Sequence, residues 1–323
     1  MAEPPGPAGG TTVEVTVVVA AYNHAGLLRK ALDSVAAQTL EQVALVVTDD
    51  ASRDGSAEVA TAWLAETGRA ARTVFHEHNA GICRTFNEAL ALVRTPFYTV
   101  MSADDRMLPD RLAVQVELLR SAGPDAVAAY SDAWLIDEHG RRTGGRFSDS
   151  YRFAGRAMPE GPIFGELCHG NWIPAPSVLL RTSAVRDVGG YDESLSFEDY
   201  DLWLRLSRRH HFVLAPEPLV EYRVSAGQAT AGLSASMTMG VDLTRARVKN
   251  LGIDRDADRV ILDEAEGKLR HAYLSGVAAA TLAPALRTVA RHRPTPATLA
   301  LATASSLRVP GHLLGRRRTR GAR

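Results

Sequence analysis

Two cysteines, Cys83 and Cys168, are all that the 323-residue chain contains. They stand far apart and in no metal or redox spacing, so a disulfide framework is not expected and a reducing compartment fits. Charge of one sign is lacking as well: 37 Lys and Arg face 37 Asp and Glu, and no global field draws the chain to nucleic acid or to an anionic membrane. No apolar run has the length of a bilayer-spanning helix; the nearest, Ala272 to Leu286, is interrupted by Pro284 and followed by Arg287. Residues 1–12 are rich in proline and glycine but lack the basic start and apolar block of a secretory signal, which reads as a flexible leader on a cytoplasmic protein. No Gly-x-Gly-x-x-Gly follows the first apolar run, against a dinucleotide fold of the dehydrogenase type.

What the chain does have is alternation. It is 46% hydrophobic and 23% charged, enough for a core of one large or two smaller domains. VEVTVVVAAY from Val13 is a β-branched run, and AGLLRKALDSVAAQ after it spaces Leu27, Leu28, Ala31, Leu32 and Val35 at helical intervals. QVALVVTDD, SRDGSAEVATAWLAETG, ARTVFHE, AGICRTFNEALALVR and PFYTVMS repeat the strand and helix signals in turn. This order predicts an α/β fold, a mostly parallel sheet with helices on both faces. Beyond Ala126 the pattern breaks into shorter strands and a helix over EDYDLWLRLSRRH; beyond Val241 the chain reads helical, with one long helix expected over residues 256–283 and a break at residues 293–296.

In such sheets ligands sit outside the carboxyl ends of the strands. Four consecutive strand ends carry polar residues: Tyr22-Asn23-His24, Asp49-Asp50, His78-Asn79-Ala80-Gly81 and Asp104-Asp105. They are expected to line one crevice. Adjacent carboxylates such as Asp104 and Asp105 repel, and removing either from water is costly unless a cation or donors meet them. Taken alone, the pair is equally a solvated loop in which Asp105 or a neighbour caps a helix beginning near Leu108. Ser52 and Asp54 read as caps of the second helix.

In order and spacing, VTVVVAAYNHAGLLRKALDSVAAQTLEQVALVVTDDASRDGS, HNAGICRTFNEAL, FYTVMSADD, GGYDESLSFEDYDLWLRL and PLVEYRV resemble glycosyltransferase family 2. These are inverting enzymes of the GT-A (Rossmann-like) fold, and the resemblance covers roughly residues 13–225. It implies a nucleotide-diphosphate sugar donor, with Ala21, Tyr22 and Asn23 packing on the base and Asp50, with Asp49 beside it, accepting a base N–H. It also implies that Asn79 and Gly81 shape the third wall of the nucleotide pocket. Where many members carry Ala-Arg-Asn, this chain has Thr85-Phe86-Asn87, and Arg84 is the neighbouring candidate for the diphosphate. Asp105 is the expected ligand of a divalent cation, Mn²⁺ or Mg²⁺, and Asp104 a ribose or shared metal contact.

By the same resemblance Asp199 is the general base that deprotonates the acceptor and Glu198 orients it or holds the acceptor; the alternative is a first-turn partner of the helix dipole. Asn171 and Trp172 are the candidates for an acceptor wall. Many relatives read Asp where this chain has Ser102, and Tyr-Arg-x-His where it has Tyr222-Arg223-Val224-Ser225. The expected layout is a leader at 1–12 and a catalytic domain at 13–225, divided into a nucleotide-sugar half (13–125) and an acceptor half (126–225). A helical region at 226–315 and a basic tail at 316–323 follow. The acceptor is expected to be a saccharide or a lipid-linked one in glycan, polysaccharide or glycoconjugate biosynthesis, with no nucleic-acid partner. The C-terminal region is a candidate for peripheral contact with the inner face of the membrane. Two other readings fit parts of the sequence: a nucleotidyltransferase of related fold, and a nucleotide-sugar-binding protein with weak catalysis.

Overall fold

The computed structural model describes residues 13–151, 153, 155–224 and 237–311. The leader, the basic tail and Ser225 therefore lie outside the described residues. The first elements are β1 (Val15–Ala21), α1 (Ala25–Ala36), β2 (Val43–Asp49), α2 (Ser56–Thr67), β3 (Arg72–Phe75), α3 (Ile82–Leu92) and β4 (Phe97–Ser102). Next come β5 (Arg106–Met107), α4 (Arg111–Ser121), β6 (Ala126–Tyr130), β7 (Ala133–Ile136), β8 (Arg142–Arg146), α5 (Phe164–Leu167), β9 (Leu179–Arg181) and α6 (Thr182–Asp187). The chain continues through α7 (Asp199–Ser207), β10 (His211–Leu214), β11 (Val220–Arg223), α8 (Met237–Val248), α9 (Arg255–Leu274), α10 (Ala279–His292) and α11 (Pro296–Ser306).

Two compact units form. The first comprises Met1–Ile163, Trp172–Ser194 and Arg209–Ala226. Its large sheet has the order β10-β6-β9-β4-β1-β2-β3, parallel except for β9, which pairs antiparallel with both β4 and β6. β1 is central and buried, which is why VTVVVAA is continuously apolar rather than alternating. On α1, Leu28, Ala31, Leu32 and Val35 form the buried stripe; Leu28 and Leu32 are fully covered, each contributing about 2 kcal/mol of apolar burial. Trp63 of α2 joins that core and donates its indole N–H to Asp33 at 2.7 Å. A second sheet, β5-β11-β7-β8, lies in the same unit.

The second unit comprises Phe164–Asn171, Leu195–Arg208 and Gly227–Arg323, and its described elements are helices α5, α7 and α8 to α11. The single helix expected over residues 256–283 is two. α9 stops at Leu274 because Gly276 takes a left-handed conformation, φ 94°, and α10 begins at Ala279. Pro284, expected to interrupt the run, sits inside α10, where burial of Leu282, Leu286 and Val289 outweighs the lost backbone bond. The break expected at 293–296 is present: Thr295 caps α11 and Pro296 is its first residue. The α/β class, the mostly parallel sheet and the C-terminal helices are all found. No helix of the described residues is long and apolar enough to cross a membrane.

Candidate functional site

Strands β3, β2, β1 and β4 are parallel neighbours, so their carboxyl ends share one edge of the sheet. Ala21 pairs with Asp49, Ala20 with Ser102 and Asp49 with Phe75. The turns that follow are therefore adjacent, and backbone bonds continue the ladder past the strand ends: Asp50 N to Ala21 O (3.1 Å), His76 N to Asp49 O (2.9 Å) and Ala103 N to Ala20 O (2.9 Å).

The stretch Asp50-Ala51-Ser52-Arg53-Asp54-Gly55-Ser56 ties these turns together. Ser52 Oγ accepts Asn23 N–H (2.9 Å), Ser56 Oγ accepts His24 N–H (3.0 Å) and Asp54 Oδ2 accepts Ala25 N–H (2.8 Å). Asn23 Oδ1 in return accepts Arg53 N–H at 2.9 Å. Three backbone donors at and just before the start of α1 are thus satisfied by the neighbouring turn rather than by a local cap. Here the expectation needs correction: Ser52 does not cap α2, whose preceding residue is Gly55 at φ 89°. Asp54 does accept from Ser56 N and Oγ, at 3.1 and 2.6 Å. Asp49 is occupied by Ser52, through its N–H at 2.9 Å and its hydroxyl.

Asp50 is buried at 6% exposure and faces the third turn. Its Oδ1 accepts Ala80 N–H at 2.7 Å and its Oδ2 accepts Gly81 N–H at 3.0 Å, while Asn79 Nδ2 donates to its carbonyl at 3.3 Å. Gly81, at φ 87°, makes this approach possible just before α3. His76 also contacts Asp50, a partner that sequence reading missed; its one signal was position, immediately past the third strand. Tyr22 is half exposed at 51%, an open aromatic face after β1. Arg84, equally readable from the sequence as a surface helix charge, is an exposed residue of α3 whose guanidinium pairs with Glu88 at 2.9 Å, one turn along the helix.

Asp105 is buried at 3% exposure, and its Oδ1 accepts Arg223 N–H of β11 at 2.9 Å. Burial, then the neighbouring Asp104 charge, raise its pKa well above the carboxylate range. Arg223 returns its Nε–H to Asp104 O at 2.9 Å, fixing the turn against the second sheet. Below β4, fully buried Arg111 donates to Thr99 Oγ1 (2.7 Å) and Gln115 Oε1 (3.0 Å), and burial lowers its pKa to about 9. The helix expected near Leu108 starts at Arg111, and its preceding residue, Asp110, makes no side-chain cap.

No group of three or more His, Cys, Asp or Glu able to chelate a metal exists among the described residues. Two adjacent hard carboxylates fit an ion held jointly by one or two protein oxygens and a diphosphate, the usual manner of Mg²⁺, and do not fit a closed protein cage.

In the second unit α7 opens at Asp199, directly after Glu198. Asp199 Oδ2 accepts Asn171 Nδ2–H at 2.7 Å and its Oδ1 accepts Tyr200 N–H at 2.6 Å. Burial raises the pKa of Asp199, against the opposing pull of the Asn171 bond. Burial and then the Asp199 charge push Glu198 up to about 8. The first turn is anchored by Tyr200, which donates to Leu167 O (2.6 Å) and accepts from Arg247 (2.9 Å), and by buried Asp201, which pairs with Arg205 (2.7 Å) and Lys249 (2.9 Å). Asn171, read as an acceptor contact, is thus a partner of Asp199, and its Oδ1 is buried without a hydrogen bond. Trp172 forms no open wall: it is 2% exposed in the first unit, edge-on to Tyr130 (5.9 Å) and Phe153 (5.0 Å).

Comparison with known proteins agrees with this geometry. Residues 16–175 match the family described as glycosyl transferase family 2. An uncharacterized glycosyltransferase of Rickettsia typhi is 26% identical over 219 residues, 67% of this chain, and the chain spans 65% of that relative's length. A mannosyltransferase from Pyrobaculum calidifontis, solved with GDP-Man and Mn²⁺, superposes with a TM-score of 0.59 at 21% identity, covering 92% of this chain and 81% of that one. S. aureus TarS 1–349, solved with UDP-GlcNAc, gives a TM-score of 0.62 at 15% identity, covering 91% and 88%. At these identities the likeness is one of fold, and the fold is GT-A.

Proposed function

The chain belongs to glycosyltransferase family 2, and from that premise we propose that it transfers a sugar from a nucleotide-diphosphate donor to an acceptor hydroxyl with inversion. The observation that carries the reading is the side-by-side register of the β1, β2 and β4 ends, which presents Tyr22-Asn23, Asp49-Asp50 and Asp104-Asp105 on one edge. A base, a ribose and a diphosphate need an aromatic face, fixed acceptors and a site for positive charge, and those turns carry the matching groups. Asp50 and Tyr22 take the base, with Ala21, Asn23, Asp49, Asn79 and Gly81 shaping the pocket. Asp104 and Asp105 would hold a divalent cation, which when bound neutralises charge on the leaving diphosphate. This revises the expectation that Asp105 is the ligand and Asp104 the ribose or shared contact: Asp105 is the more buried and accepts Arg223 N–H, so Asp104 is assigned the contact and Asp105 the support.

Asp199 takes the acceptor proton. The acceptor oxygen then forms its bond to the anomeric carbon while the bond to the diphosphate oxygen breaks, its electron pair leaving with the nucleotide. A base works best with a pKa near the operating pH, and burial moves Asp199 in that direction. Glu198, pushed upward by burial and then by the Asp199 charge, is the member of the pair disposed to keep its proton, so that a second anion beside Asp199 is disfavoured. Asn171 and Tyr200 N–H fix the carboxylate, and the buried, unbonded Asn171 Oδ1 is an open acceptor for an incoming hydroxyl. A saccharide or lipid-linked acceptor and a cytoplasmic location, peripheral to the membrane through the C-terminal region, complete the proposal.

The test is a panel of nucleotide sugars with Mn²⁺ or Mg²⁺, read as free nucleoside diphosphate. One donor is expected to turn over, and Asp199→Asn to bind that donor normally while turnover collapses by about 100-fold or more. Normal turnover in Asp199→Asn removes the base assignment; silence across the panel with binding still measurable makes the protein a nucleotide-sugar binder.

A further inference from the structure

His76 follows β3, and its ring spans two carboxylates: Nδ1 lies 2.7 Å from Asp50 Oδ1 and Nε2 lies 2.8 Å from Glu88 Oε2. A neutral imidazole carries one N–H, and an ionised carboxylate only accepts. Both contacts are hydrogen bonds only when the ring is the doubly protonated cation. The charged groups facing it are both acidic, Asp50 from the end of β2 and Glu88 from α3, with Arg84 bonded to the other Glu88 oxygen at 2.9 Å. Burial draws the His76 pKa down, but the bonds to Asp50 and Glu88 outweigh it and hold the pKa above its ordinary value.

The consequence falls on Asp50. A carboxylate offers about four acceptor positions, two on each oxygen. His76 and Ala80 N–H fill Oδ1, both at 2.7 Å, and Gly81 N–H takes one position on Oδ2 at 3.0 Å. A single position remains, on Oδ2.

Resting on the reading of Asp50 as the base-recognising carboxylate, we propose that His76 is a specificity-determining residue. By filling Oδ1 it leaves Asp50 able to accept one N–H, which selects a uridine or thymidine diphosphate donor over a guanosine one. Uracil and thymine present a single ring N–H at N3. Guanine presents N1–H and an amino N–H side by side, a pair that calls for both oxygens of one carboxylate, and here Oδ1 is taken.

The experiment is calorimetric titration of the full chain with UDP and with GDP, each with MnCl₂, from about pH 5.5 to about pH 9, spanning the histidine range. UDP is expected to bind about tenfold or more tightly than GDP near pH 6, since leaving a buried polar group unpaired carries a penalty of that order. The ratio narrows as pH rises through the His76 pKa, because the neutral ring keeps a single N–H for which Asp50 and Glu88 compete, and Oδ1 is then filled only part of the time; titration of the diphosphate is common to both nucleotides and cancels in it. In His76→Ala the ratio moves toward one and stops changing with pH. In His76→Gln, whose amide gives Asp50 one donor and no charge, the ratio persists but its pH dependence is lost. That variant carries the test if His76→Ala does not fold. GDP binding as tightly as UDP in the wild type, or an unchanged ratio and pH profile in the variants, overturns the role of His76 and leaves the nucleotide reading intact. Failure to bind either nucleotide overturns the reading, and the inference with it.

Discussion

Asn171→Ala isolates how Asp199 is tuned. The substitution removes the 2.7 Å bond from Asn171 Nδ2 to Asp199 Oδ2 and leaves the Tyr200 N–H bond to Oδ1 in place. A hydrogen bond to a charged group contributes about 1.5–3 kcal/mol. Because this one favours the ionised form, its loss raises a pKa that burial has already lifted. At about 1.4 kcal/mol per factor of ten, that bond corresponds to a loss of about tenfold or more on the acid limb of the rate profile. With Asp199 as the proposed base, turnover on that limb follows its deprotonated fraction; above both pKa values the loss shrinks to whatever orientation contributes. The assay is release of nucleoside diphosphate from the donor that the panel identifies, measured for both proteins from about pH 5 to about pH 9, a range that brackets a raised carboxylate. A displaced acid limb with recovery at high pH is expected. A loss of equal size at every pH, with the limb unmoved, refutes the argument and reduces Asn171 to a packing residue.

Three further predictions concern the turns after β2 and β4. Ser56→Ala removes the acceptor of His24 N–H and one partner of Asp54, so it should cost about 1 kcal/mol, as loss of a cap does, read as a lower melting temperature together with weaker nucleotide binding. Asp105→Asn should melt at or above the wild type at neutral pH. A buried acid whose folded pKa is raised contributes stability only while protonated, and that contribution is lost as pH rises through the folded value; the neutral amide avoids the loss and can still accept Arg223 N–H. Asp104→Asn should abolish the dependence of nucleotide affinity on Mn²⁺ in the same calorimetric assay.

The sheet was legible because buried parallel strands must be apolar throughout, and Val15–Ala21 and Val43–Asp49 are so without ambiguity. The polar strand ends were legible for the converse reason: side chains at Asp49-Asp50 and Asp104-Asp105 interrupt those runs where a sheet of this kind opens to ligand. Partnerships across the chain were not. Nothing local to Arg223 says that its N–H meets Asp105, 118 positions away, or that Asn171 bonds Asp199 rather than a sugar. Trp172 shows the limit from the other side. An aromatic next to Asn171 and Pro174 reads equally as a wall or as core, and only the Tyr130 and Phe153 rings packed on it decide for core.

The alternation of Asp50, Ser52, Asp54 and Ser56 has a reason that the sheet order supplies. β2 lies between β1 and β3, so the turn after it has a neighbour on each side. Asp50 reaches forward to Ala80 and Gly81, beyond β3, whereas Ser52, Asp54 and Ser56 reach back to Asn23, His24 and Ala25, after β1. One turn thereby sets two others, and every backbone donor it captures would otherwise need water at this edge of the sheet. Short oxygen-bearing side chains suit this because they reach a neighbouring backbone N–H from a tight turn at little cost in rotamer entropy. It also follows why the one carboxylate turned toward the third loop is the one that His76 approaches: Asp50 is the member of the set pointed away from α1, just past the end of β2, the strand paired with β3.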